Sequence, residues 1–281
     1  MSSEQPGFDL ALDAVLPILH DMKKSLRTQP SANRASLERL VSLPDSFVQP
    51  VAPLGMAGAP HATVTAAAHA GKDDGRLSRL AELKTRILAC TRCPHLVKSR
   101  TQVVYGVGNP FAELMFVGEA PGEEEDLKGE PFVGKAGQLL TRIIGAMEYK
   151  REDVFIANVL KCRPDMPAGE AGNRKPKPAE MGTCLPWLRE QIAAIKPKVL
   201  VALGATAVEG LLGEPRTMRD VRGQWLDYGG VPLMPTYHPA YLLRNQSIAE
   251  KRKVWEDMLR VMEKLGRPVS AKQRGYFLEK A

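Results

Sequence analysis

The 281-residue chain reads as an α/β protein, a three-layer α/β/α sandwich around a short, mostly parallel four-stranded sheet. Three observations predict this. Four apolar runs, 113–118, 153–160 (DVFIANVL), 198–203 (KVLVAL) and 231–235, are short and nearly unbroken, the pattern of strands buried on both faces. Segments whose apolar residues recur at helical spacing separate them. The runs also end at Gly, Pro or polar turn signals, and strands alternating with helices imply parallel neighbours covered on both sides.

The elements follow in order. Residues 8–28 have the pattern of an amphipathic helix, interrupted or bent at Pro17. From 44 to 75 the composition turns to Ala, Pro, Gly, His and Thr, too poor in large apolar residues to bury much surface, so it reads as a flexible linker. An N-terminal extension (1–75), with a possible protein partner, thus precedes a folded domain (76–266) and a loosely held tail (267–281). In the domain, Leu77, Leu80, Leu83, Ile87 and Leu88 form a helical stripe leading to Cys90. Helices are expected at 134–147 (Leu139, Leu140, Ile143 and Ile144 inward), 178–195, 205–212 and 248–265, and a Pro/Gly/Lys-rich loop at 164–178.

Composition narrows the function. A formal charge of +7 and a pI near 9.2 suit a polyanionic partner. No apolar run approaches the roughly 18 residues of a membrane span, and the N-terminus has no basic-then-apolar secretory pattern. A soluble, cytoplasmic, monomeric protein is expected. Four cysteines, Cys90, Cys93, Cys162 and Cys184, are few for a disulfide framework in such a chain. Cys90 and Cys93 have the C-x2-C spacing with which two thiolates grip one metal centre. Arg92, Lys98, Lys161 and Arg163 stand near enough in sequence to offset thiolate charge.

The first strand runs into GEAPG (118–122), an acidic run (123–126) and PFVGKAG (131–137). A Gly/Pro turn after a strand places loop residues at the carboxyl edge of the sheet, where open α/β folds bind ligands. Gly118 and Gly122 allow close backbone approach. The acidic residues suit a positive transition state rather than a phosphate. NVLKCRP after the second strand and YHPAY after the fourth reach the same edge.

Together GEAPG, PFVGKAG, ANVLKCRP, NRKP and YHPAYLLRN resemble the family 4 uracil-DNA glycosylases, the iron–sulfur class, from about Leu83 to Leu265. The resemblance implies hydrolysis of the bond between uracil and deoxyribose, in single- or double-stranded DNA, to start base excision repair. It implies catalytic roles for Glu119 and His238 and a uracil pocket of Gly118, Ala120, Phe132 and Asn158. His238 would stabilise the leaving anion at uracil O2; Asn158 would read N3–H and O4; Phe132 would stack on the base. Glu119 would orient the water, stabilise the sugar cation or refuse thymine's methyl, with Glu125 and Asp126 as further carboxylates for the water. Leu242 is a candidate wedge into the base stack, and Arg244, Arg174, Lys175, Lys177, Lys251 and Arg252 are candidate phosphate contacts. All four cysteines would ligate a [4Fe-4S] cluster; zinc is the alternative that the residues alone leave open. A related class bonds covalently to its abasic product through a His in a loop inserted after the first motif. This chain lacks that loop and has Ala120 in place of the Gln expected there, so ordinary turnover is expected. The rival readings are a broader base preference and a tight binder of abasic or uracil-containing DNA that does not turn over.

Overall fold

The computed structural model describes residues 74–278 except 168. The expected helix at 8–28, and the linker apart from its last two residues, lie outside the described residues. The elements in chain order are α1 (Arg76–Leu88), α2 (Pro94–Ser99), β1 (Val107–Gly108), β2 (Leu114–Gly118), α3 (Glu123–Lys128), α4 (Lys135–Ala146), β3 (Phe155–Asn158), α5 (Pro178–Ile195), β4 (Val199–Leu203), α6 (Ala205–Leu212), α7 (Met218–Val221), β5 (Leu226–Tyr228), β6 (Val231–Thr236), α8 (Pro239–Arg244), α9 (Ile248–Lys264) and α10 (Ala271–Arg274). No helix among the described residues is long and apolar enough to cross a membrane.

One sheet organises the domain, in the order β1-β3-β2-β4-β6-β5. Its centre is parallel: β2 pairs with β3 and β4, and β4 with β6. Every residue of β2, β3 and β4 is buried, which is why each reads as an unbroken apolar run. Alternation along the strands sorts side chains to two cores. Met115, Val117, Ala157, Leu200 and Ala202 face a layer with α1, α5 and α6. Leu114, Phe116, Ile156, Val201 and Met234 face α4 and α9.

The sheet has six strands rather than the expected four. The additions, β1 and β5, are antiparallel edges of two and three residues. Runs this short carry no readable alternation. Gly108 is required in β1: its φ is 125° and a Cβ there would lie 1.8 Å from the Val154 carbonyl oxygen. In α1 the stripe is narrower than expected, since Leu77 and Leu88 are 46% and 47% exposed.

Residues 267–278 of the tail are docked, not loose. The buried Trp255 indole N–H donates to the Gln273 carbonyl at 2.6 Å, and Gln273 Nε2 donates to the Ala146 carbonyl at 2.9 Å. A buried Trp needs such an acceptor. Ser270 caps α10, and Tyr276 stacks 5.3 Å from Trp255.

Candidate active site

The parallel strands bring three motifs to one edge. Gly118 ends β2 and stands in register with Asn158 at the end of β3. Two strands away, β6 ends at Thr236 and delivers Tyr237 and His238. Between them, Gly204 after β4 has φ 91°, donates its N–H to the Thr236 carbonyl at 2.9 Å and lies against His238, where a Cβ would sit 3.1 Å from the His238 Cβ.

The cavity at this edge has a volume of about 360 Å³, and Glu119, Phe132, Asn158, Asn173, His238 and Arg244 are among its walls. Phe132 is buried with φ 54°, an unusual backbone for an aromatic residue. Two glycines make room for it. A Cβ on Gly118 would come within 2.5 Å of the Phe132 ring and 2.4 Å of Asn158 Oδ1, and one on Gly137 within 1.8 Å of the Phe132 carbonyl oxygen. Arg151 donates to the Pro131 carbonyl at 2.6 Å and holds the turn from below.

Asn158 is 2% exposed, and its Oδ1 has no hydrogen-bond partner. An unpaired buried acceptor costs about 1–3 kcal/mol, and this one lies on a cavity wall. The His238 ring lies 5.5 Å from that of Phe132, at 33°. Its Nδ1 accepts from the Ala240 N–H at 3.1 Å, which places the proton of the neutral ring on Nε2. Burial, seconded by Arg244, pulls its pKa down to about 4. Burial also raises the carboxyl of Glu119, with a hydrogen bond from the Thr206 side chain acting against it.

The other candidate carboxylates serve the backbone. Glu125 accepts from the N–H groups of Gly122, Val133 and Gly134 at 3.0–3.1 Å, stapling GEAPG to the Phe132 loop. Asp126 is 2% exposed and accepts from Thr101 N–H at 2.8 Å, outside the cavity wall. Two phosphate candidates are also committed elsewhere. Arg174 is gripped by Glu180 at 2.7 Å and by Asp165, and Lys175 by Glu209 at 2.6 Å. Leu242 is 4% exposed and packs with Leu139, Ile143 and Trp255 around a separate apolar cavity, so it does not project as a wedge; Leu243 beside it is partly exposed. Arg244 is exposed at the cavity rim. Asn173, Thr206 and Gly204 are contributors that sequence reasoning passed over. Gly204-Ala205-Thr206 follows β4 as GEAPG follows β2, which was the available signal.

The four cysteines line a second cavity, below α1 and beside α5, together with Arg100, Lys161 and Trp187. Arg100 donates to Cys162 Sγ at 2.9 Å, and the Lys161 N–H to Cys184 Sγ at 3.3 Å. The buried Trp187 Nε1 has no partner. Burial raises the thiols of Cys93 and Cys162 and takes Cys184 up to about 12. Glu180, held at about 2 by Arg174, the Lys177 N–H and His95 against the opposing effect of burial, ties the Asn173–Arg174 rim to the cysteine-bearing α5.

Residues 105–259 match the uracil DNA glycosylase superfamily. The chain belongs to this superfamily. A type-4 uracil-DNA glycosylase of Thermotoga maritima is 48% identical over 62% of this chain and 88% of its own length. Another, of Archaeoglobus fulgidus, is 42% identical over the same shares. A type-5 uracil-DNA glycosylase of Pyrobaculum aerophilum is 29% identical over 56% of this chain and 80% of its own. These values place the superfamily member with the type-4 group, and the match spans the cavity and Cys162 and Cys184.

Two outcomes test this geometry. Gly118→Ala forces Phe132 and Asn158 apart and lowers stability by about 2 kcal/mol, read as the urea midpoint; a parental midpoint would show the packing to be slack. The His238 imidazole titrates near 4 in the folded protein against 6.5 in the unfolded chain. Its contribution to stability is therefore full above 6.5 and is lost as pH falls from there towards 4. An NMR titration of His238 with a midpoint near 6.5 would contradict its burial.

Proposed function

We propose that this cavity receives an extruded uracil and that His238, Asn158, Phe132 and Glu119 divide the work of cleaving its glycosidic bond. The protein is a uracil-DNA glycosylase, a hydrolase of N-glycosyl bonds that begins base excision repair. The observation that carries the pocket assignment is the buried, unpartnered Asn158 Oδ1 beside a buried Phe ring and a neutral His.

The target base is hidden in a duplex and must be flipped out to be reached. In the cavity Phe132 stacks on its face. Asn158 Oδ1 accepts the uracil N3–H, and the amide N–H donates to O4. Cytosine presents the reverse pattern and leaves both groups unpaired, a mismatch that discriminates far more than a packing difference. As the bond breaks, its electron pair goes to the base, and the His238 Nε2–H donates to O2, where negative charge gathers. A preformed donor of this kind is commonly the largest catalytic contribution. Glu119, the one of the three candidate carboxylates not spent on backbone N–H groups, faces the sugar cation. It orients a water whose oxygen bonds to C1′ and whose proton passes to the carboxylate. Arg244 takes a phosphate at the rim. One chain supplies every residue named, and single- and double-stranded DNA are both substrates once the nucleotide is extruded. The Gly129–Gly134 link leads straight into α4, with no inserted loop to trap the product.

The cysteine cavity fits a [4Fe-4S] cluster: four sulfurs line it, with cationic and N–H donors pointed at them and a buried Trp187 N–H left unpaired beside them. Such a cluster would be held by Cys90, Cys93, Cys162 and Cys184 and would supply a cross-link rather than a reaction step. These residues join the end of α1, the start of α2, the segment after β3 and α5.

Asn158→Ala and His238→Ala each slow single-turnover uracil release by about a hundredfold or more, with cleavage at uracil scored after alkali under enzyme excess. Parental rates in both variants would remove the pocket assignment. With substrate in excess the parent protein turns over repeatedly, whereas a stoichiometric stop would mark an abasic-site binder. Cys162→Ala loses the brown visible absorption and melts at lower temperature; a variant that kept both would exclude the four-cysteine cluster.

A further inference from the structure

Three residues beyond Asn158 lies a lysine that the mechanism does not use. Lys161 is 1% exposed, and no carboxylate among the described residues pairs with it. Its ammonium donates to the Asn158 carbonyl at 2.9 Å and to Gln191 Oε1 at 2.5 Å. Gln191, itself 0% exposed, passes the connection on through Nε2 to the Tyr105 carbonyl at 3.0 Å. On its other side Lys161 lines the cysteine cavity, where its own N–H donates to Cys184 Sγ.

Burying an unpaired ammonium costs several kcal/mol. A position needing only bulk is filled at less cost by Met or Leu, so the charge itself has a use. The local backbone shows what it is. Beyond β3 the Val159 and Leu160 N–H groups bond to the carbonyls of Gly118 and Glu119, each at 3.0 Å, so the strand remains tied to the GEAPG loop. The Asn158 carbonyl is taken by Lys161 instead. That carbonyl and the base-reading amide leave the same Cα, so holding one restricts the swing of the other. A recognition group must be held to about 0.5 Å and 10–20° to perform.

We propose that Lys161 is a positioning residue: its buried ammonium fixes Asn158 for base reading, and the thiolate-held cluster balances the charge that does so. The inference rests on the pocket assignment above and adds a route by which the cluster bears on base recognition. Arg100, which donates to Cys162 Sγ and to the Cys90 carbonyl, reaches the same cavity but not Asn158. Lys161 alone among the cavity's cations bonds to a pocket residue in this way.

The test uses full-length protein carrying its cluster. In Lys161→Met the stem is kept and the charge removed. Inhibition by free uracil weakens about tenfold, as expected for disturbing one charge-assisted hydrogen bond. Single-turnover release slows to a similar degree, and the preference for uracil over cytosine falls. Affinity for uracil-free DNA stays at the parental value. The cluster's reduction potential moves negative, because a cation beside it favours the reduced, more negative state. A role in folding alone would lower the melting temperature and leave the free-uracil inhibition constant and the potential unmoved. That result overturns the proposal. Should Lys161→Met fail to retain its cluster, Gln191→Glu carries the test: the new carboxylate draws the ammonium away from the Asn158 carbonyl and weakens inhibition by uracil in the same direction. Parental uracil inhibition in Gln191→Glu overturns the proposal as well. Asn158→Ala separates the two levels. If it releases uracil at the parental rate, the pocket assignment fails and this inference with it. If it is impaired while Lys161→Met and Gln191→Glu are not, this inference alone fails.

Discussion

Phe132 occupies a notch that exists only because two residues have no side chain. Gly118 clears the space for its ring and Gly137 the space for its carbonyl, and both approaches are closer than any Cβ allows. The aromatic residue accepts a φ of 54° in return, a conformation whose strain is of order 1–3 kcal/mol. Such strain persists only where the surroundings over-determine it. Here Arg151 holds the carbonyl before Phe132, and Glu125 holds the two N–H groups after it. Because Glu125 also takes the Gly122 N–H, the GEAPG turn and the Phe132 turn move as one body. The distances from Phe132 to Asn158 and to His238 then follow from strand register rather than from flexible loops.

This dependence explains which parts of the molecule were legible in the sequence. The four central strands were, because burial on both faces leaves an apolar run that nothing else in the chain imitates. The edge strands were not: two or three half-exposed residues obey no period, and only pairing defines them. The loops that carry chemistry were legible as punctuation, a Gly or Pro after each run. The loop after β4 was missed although Gly204 punctuates it in the same way. Its Thr206 offers no charge or ring to attract notice. The docked tail was hidden for a different reason, since the need of Trp255 for an acceptor becomes visible only once Trp255 is known to be buried.

Carboxylates and cations were the least legible class. Glu119, Glu125 and Asp126 look interchangeable in a row of acids, yet backbone N–H groups claim two of them, those of the GEAPG and Phe132 turns Glu125 and those of Thr101 and Gln102 Asp126. A turn with several unpaired donors demands an acceptor as strictly as a helix end does. Arg174 and Lys175 were likewise indistinguishable from Arg244 until Glu180, Asp165 and Glu209 were placed beside the first two. The sequence states how many charges there are, and only the fold states which are already satisfied. For Leu242 the same holds with burial in place of charge.

The electrostatics of the pocket follow from that sorting. In the proposed reaction uracil leaves as an anion and the sugar becomes cationic, so the two halves of the cavity need opposite fields. A cationic imidazole would meet the first need only by burying a charge close to Arg244. Burial instead keeps His238 neutral, and the Ala240 N–H leaves the remaining proton on Nε2. The donor is then a fixed dipole that needs no reorganisation as charge develops. Arg244 pushes in the same direction in the free protein. A DNA phosphate that neutralised Arg244 would remove this secondary push and leave burial, the larger cause, in place. In the proposed reaction a neutral His238 leaves the carboxylate of Glu119 to answer the sugar.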